Sequence, residues 1–170
     1  LQRLWNAEAA LADQDFAAAR RWADEAVTTT TGWWLIHTLT ARARVAIAQE
    51  EPEQGERDAH DALAIGAAGI KAHLRVPDTL ECLAVLAGDA GSHLEAARLF
   101  GAAHAVRLRI GAVRYKIYDA GYEASVAALR DALGEQDFDT AWAEGAALST
   151  EEAIAYAQRG RGQRKRPASG

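Results

Sequence analysis

The stretch "LECLAVLAGDAGSHLEAARLFGAAHAVRLRI" (80–110) decides the fold. Its first part sets Leu80, Leu83, Ala84 and Ala87 at helical spacing, and its last part does the same with Leu99, Ala103, Val106 and Ile110. Between them "GDAGS" (88–92) carries two glycines and a serine and reads as the turn of a helix pair. Downstream, Tyr122, Val126, Leu129 and Leu133 form another stripe along one helix face. Breakers divide the remainder: "TTTTG" (28–32), "EEP" (50–52), "IG" (110–111) and "LG" (133–134). Pro52 suits the first turn of a helix, and Ser149 with Glu152 has capping-box spacing ahead of a short last helix. No segment alternates like a strand, so the chain is predicted to be all-α.

The helices repeat. "DFAAARRWADEAV" (15–27), "PEQGERDAHDAL" (52–63) and "SHLEAARLFGAA" (92–103) align Ala19, Ala23 and Ala26 with Gly55, Ala59 and Ala62, and with Ala96, Phe100 and Ala103. Small residues at such positions let two helices approach closely. The last alanine of each set follows the previous one by 36 and then 41 residues, somewhat more than the period of about 34 of tetratricopeptide repeats. The expectation is antiparallel helix pairs over 1–158, stacked as a tetratricopeptide-like right-handed superhelix with a concave face. An ordinary alanine-rich bundle is the plainer alternative, since 41 of the 170 residues are alanine. Residues 67–79 are the least legible. Pro77 disfavours helix at Val76 and suits a new start with Asp78 and Thr79 in the first turn. Residues 67–76 could extend the preceding helix or form an irregular link, and a helix that frays before Pro77 is the preferred expectation.

Composition narrows the function. His37, His60, His73, His93 and His104 stand apart, and Cys82 is the sole cysteine, so no metal-ligand spacing is present and an internal disulfide is impossible. A reducing cytoplasm is the expected location, with no membrane span. "GDAGS" lacks the Gly-Lys-Ser/Thr of a phosphate loop, and no serine lies in a G-x-S-x-G elbow. The acidic run "EEPEQGERDAHDA" (50–62) is read as a solvated helix start, where negative charge complements the macrodipole. No enzymatic activity and no cofactor are expected of this stretch of chain.

Trp33 and Trp34 would point about 100° apart on a helix. One would pack inward and the other lie at a repeat interface or partly in a groove that could take a protein or an apolar ligand, with core packing as the preferred reading. Trp33, Trp34, Thr40, Arg44 and Glu81, on the presumed first helices of the pairs, are the candidate partner-binding residues. On that reading Arg44→Glu weakens partner binding without unfolding the domain. The end of the chain, "RGRGQRKRPASG" (159–170), carries Arg159, Arg161, Arg164, Lys165 and Arg166 and no acid, against 14 basic and 24 acidic residues in 1–158. It reads as an extended linker with modest phosphate affinity.

The blocks "LECLAVLAGDAGSHLEAARLFGAAHAVRLRIGAVRYKIYD" (80–119) and "FDTAWAEGAALSTEEAIAYAQRGRGQRKRPASG" (138–170) resemble the helical repeats of large ATP-binding LuxR-type transcriptional regulators of actinobacterial, mycobacterial type. The resemblance implies a longer chain, consistent with an opening that lacks methionine and begins mid-pattern. In that longer chain an ATPase module, in some members an adenylate-cyclase-like domain, and a C-terminal helix-turn-helix DNA-binding domain would be the partners of this region. It also implies that 159–170 tethers the repeats to the DNA-binding domain, with its five cations close to phosphates. DNA would be reached only through that domain, and a protein or small-molecule effector would act on the repeats. The other reading is a general tetratricopeptide-type scaffold holding a peptide in its concave groove. No Walker lysine, cyclase carboxylates or recognition helix can be matched within 1–170.

Overall fold

The computed structural model describes residues 1–160, which contain nine α-helices and no strand. The expectation of an all-α chain is met. The helices fall into two compact units, Leu1–Arg75 and the chain from Val76 onward, where the sequence reads as one domain over 1–158.

The first unit holds α1 (Gln2–Ala12), α2 (Phe16–Thr29), α3 (Leu35–Ala48) and α4 (Pro52–Ala68). Arg3, at the start of α1, meets Glu25, near the end of α2, at 3.1 Å, so the two helices run antiparallel. Their interface is built from small side chains: Ala7, Ala19 and Ala23 are buried with Val45 of α3, and Trp22 packs on the cluster. α3 packs in turn on α4, where Ala59, Ala62 and Leu63 are fully buried. The alanines that mark the repeat in the sequence therefore lie at helix contacts, where a larger side chain would push the backbones apart.

The second unit holds α5 (Val76–Asp89), α6 (His93–Ile110), α7 (Asp119–Leu133), α8 (Glu135–Ala146) and α9 (Thr150–Arg159). α6 is the hub, packed on α5, α7, α8 and α9. Leu80, Leu83, Leu99, Phe100, Val106 and Phe138 form its interior. Gly111 closes α6 in the left-handed conformation, and the Ser149 hydroxyl caps α9 by accepting from the Glu152 amide at 3.1 Å.

Three helix pairs, α1/α2, α3/α4 and α5/α6, close with one and the same turn. The middle residue of each is left-handed: Gln14 (φ 60°), Glu50 (φ 59°) and Gly91 (φ 83°). In each, that residue's amide donates to the carbonyl three residues back, and the next amide donates five residues back, Asp15 to Ala10, Glu51 to Ala46 and Ser92 to Ala87. These turns are 36 and 41 residues apart, the spacing of the repeat alanines. The repetition is thus a property of the backbone as well as of composition. Only the third turn uses glycine; for Gln14 and Glu50 the left-handed region costs about 1–2 kcal/mol. Glu50→Gly, at an exposed position, is expected to raise the unfolding free energy by about 0.5–1 kcal/mol in urea titration, and a loss would show that the Glu50 side chain is needed there.

In the segment 67–79 a new helix starts around Pro77 as expected, but the preceding helix does not fray up to it. α4 ends at Ala68, a 3-10 stretch covers Ile70–Arg75, and α5 begins at Val76 with Pro77 as its second residue. A proline in the first helical turn forfeits no intrahelical hydrogen bond, so it begins the helix there instead of excluding Val76 from it. Arg159 is likewise the last residue of α9 and not part of a linker. Arg161, Arg164, Lys165 and Arg166 lie outside the described residues.

Candidate functional site

Trp33 and Trp34 do not occupy one regular helix, as the sequence suggested, but a 3-10 turn, Gly32–Trp34, just before α3. Gly32 enters this turn at φ 64°. The two rings nonetheless stack, with centroids 4.1 Å apart and planes inclined by 28°. The Trp34 ring also lies 4.9 Å from that of His37. The Arg75 Nε–H donates to His37 Nδ1 at 2.9 Å, which fixes the imidazole proton on Nε2. This joins the 3-10 stretch Ile70–Arg75 to α3. Beside the stack opens a cavity of about 680 Å³, lined by Trp33, Leu35, Ile65, Ala68, Ile70 and Lys71 among others.

The other candidate residues lie elsewhere. Thr40 is buried, and its hydroxyl donates to the Ile36 carbonyl of its own helix at 2.7 Å. The Arg44 side chain is about nine-tenths buried and faces the buried Glu8 carboxylate of α1 at 4.0 Å. Both side chains are turned into the α1–α3 packing and not toward a groove, so Arg44→Glu would set two carboxylates against each other in the interior and test the fold instead of a partner. Glu81 belongs to the second unit and is held by two arginines.

Two buried ionic clusters went unread in the sequence. In the first unit Arg42 of α3 makes a bidentate pair with Asp58 of α4, Nε to Oδ2 and Nη2 to Oδ1, both 2.8 Å. Asp58 is 1% exposed, so the acidic run at 50–62 is not wholly the solvated face expected of it. The helical period turns Asp58 inward beside Ala59 and Ala62, and Arg42 supplies the countercharge that makes this tolerable. The Asp58 hydrogen bonds hold the Arg42 pKa above its ordinary value. Asp24 of α2 and then Arg20 extend the network to three helices.

In the second unit Arg107 of α6 donates to Asp78 at 2.9 Å and to Glu81 at 3.1 Å, both on α5. Arg114, in the connection after α6, donates to both oxygens of Glu81, at 2.6 and 3.0 Å. Its guanidinium carbon lies 3.5 Å from the centroid of the Tyr122 ring. Burial works to lower the Arg114 pKa, but the Glu81 carboxylate more than offsets it; burial pushes the Tyr122 phenol up. These carboxylates are engaged in ion pairs that tie elements together. Among the described residues no group of three or more His, Cys, Asp or Glu side chains converges to hold a metal ion, and no helix is long and apolar enough to cross a membrane.

The Trp33 cavity is a place where aromatic surface, apolar walls and a cation meet. Sequence reasoning found its tryptophans but missed Ile65, Ile70 and Lys71. The only local signal was the absence of helix periodicity in 69–75, which marks a segment whose side chains are not committed to a regular core.

No family model matches the chain, and no solved structure matches it significantly. Over 164 residues, 96% of its length, it is 60% identical to a protein of Mycobacterium tuberculosis named "Putative HTH-type transcriptional regulator" and equally to one of that name from Mycobacterium bovis. The chain spans 18% of the length of those relatives. It is similar to one segment of a much longer regulator.

Proposed function

We propose that this chain is the regulatory helical module of a LuxR-type transcriptional regulator, relaying the binding of an effector or partner to a helix-turn-helix DNA-binding domain and an ATPase module elsewhere in the full-length protein. The observation that carries this reading is the 60% identity over 96% of the chain to about a fifth of a protein named for its helix-turn-helix. The repeated helix pairs support it, because stacked pairs are a common way to build an extended recognition surface without a catalytic cleft. The module itself is assigned no enzymatic role and no cofactor, and the cations Arg161, Arg164, Lys165 and Arg166 are assigned to the tether leading to the DNA-binding domain. Regulation requires that the ligand favour one arrangement of the module and its neighbours over another, by as much free energy as it binds the two differently.

The test is a division of labour. Purified full-length protein is expected to shift its promoter fragment with sequence preference, whereas residues 1–170 alone show none, even at low salt where phosphate contacts are strongest. Sequence-preferring binding by 1–170 alone overturns the reading. The rival, a general tetratricopeptide-type scaffold holding a peptide in its concave groove, has no separate observation in its favour. It predicts that full-length protein without this region regulates its promoter unchanged.

A further inference from the structure

We infer that the cavity beside Trp33 is a binding site for an amphiphilic carboxylate, an apolar chain or ring system ending in one negative charge. The first argument is size and lining. About 680 Å³ lies within the range of roughly 300–1,000 Å³ that holds small organic ligands. Its walls include Leu35, Ile65, Ile70 and Trp33. Ile70 is 79% exposed, an unusual state for isoleucine that burial against an apolar ligand would relieve.

The second argument is charge. Lys71 is the only charged residue lining the cavity, and it has no carboxylate partner among the described residues. The chain around it is free of acid: in 26–49 and in 62–77, the segments that supply the whole lining, there is no Asp or Glu, although the chain has 24. Those same segments contain Arg75, whose guanidinium is fixed on His37 beside the tryptophan stack. An anion at the cavity mouth therefore meets Lys71 with no nearby countercharge from these segments to cancel the attraction. The Trp33–Trp34–His37 stack is preorganised by the 3-10 turn and the Arg75 bond, so little side-chain freedom is lost when a ligand packs on it. The ligand would touch both the turn before α3 and the 3-10 stretch after α4, two irregular segments whose separation it could set.

This inference rests on the regulatory reading only for its biological consequence. Its test is run without DNA, so failure here leaves promoter binding to be judged separately. The full chain is titrated calorimetrically with decanoate and, as the uncharged counterpart, decan-1-ol. Decanoate is expected to bind more tightly than decan-1-ol. Lys71→Glu, at an exposed position, is expected to weaken decanoate about tenfold while leaving decan-1-ol unchanged. Ala68→Trp, which fills the cavity from an exposed helix position, is expected to weaken both, with circular dichroism verifying that helix content is kept. Equal binding of the two probes, absence of decanoate binding, or affinities unmoved by both variants would each overturn the site.

Discussion

Arg107→Met is expected to lower the unfolding free energy by about 3–5 kcal/mol, read as a shift of the urea midpoint at constant slope. Methionine nearly preserves the volume, so the loss comes from charge. Asp78 and Glu81 are drawn out of water at side-chain exposures of 2% and 9%, and Arg107 is the countercharge shared between them. Glu81 retains Arg114, but Asp78 loses a 2.9 Å partner with few routes to solvent. Adding Asp78→Leu to Arg107→Met should recover part of the loss, because an apolar pair removes the buried carboxylate together with its countercharge, and the double-mutant cycle measures the coupling. A loss below about 1 kcal/mol for Arg107→Met would mean that water replaces the guanidinium at little cost.

Gly145→Ala and Gly101→Ala are each expected to destabilise by about 3 kcal/mol, although alanine is normally the better helix former by about 1 kcal/mol. α6 and α8 cross with their backbones in contact. A Cβ on Gly145 would fall 2.7 Å from the carbonyl carbon of Arg98 and against its oxygen, and one on Gly101 would fall 2.9 Å from that of Trp142. The obstacle is main chain in both cases, so no rotamer change relieves it; the helices must separate along their interface. Gly121→Ala in α7 is the control. Nothing lies within 4 Å of its added Cβ, so the propensity gain should appear undiminished, about 0.5–1 kcal/mol of stabilisation. Thermal unfolding of the three variants separates the two causes: if all three move together, crowding at the crossing is not what the glycines prevent.

Much of this architecture is written in local pattern. Pro52, Gly111, Gly134 and Ser149 start, stop or cap helices where the sequence places them, since a breaker or a cap acts within one helical turn of itself. The alanine sets were equally legible as contact positions, because small size matters at any close crossing whatever lies opposite. The candidate site was legible only in its aromatic half. Adjacent tryptophans suggested divergent directions on a helix, but packing winds them into a 3-10 turn and stacks them. Thr40 and Arg44 carry no local sign that they face inward.

By itself, then, the sequence determined that the described chain is helical, that helices break at 28–32, 50–52, 88–92, 110–111 and 133–134, and which small residues the helix pairs share. Only the tertiary structure decided which charges are buried, that Gln14 and Glu50 adopt the same left-handed turn as Gly91, that α6 and α8 meet through glycine, and that Lys71 stands at the edge of an apolar cavity. The reason is range. Periodicity and capping are read over three or four neighbours, whereas Arg42 finds Asp58 across 16 residues and Arg107 finds Asp78 across 29, distances at which burial depends on what another helix brings and not on the residue's own surroundings in the chain.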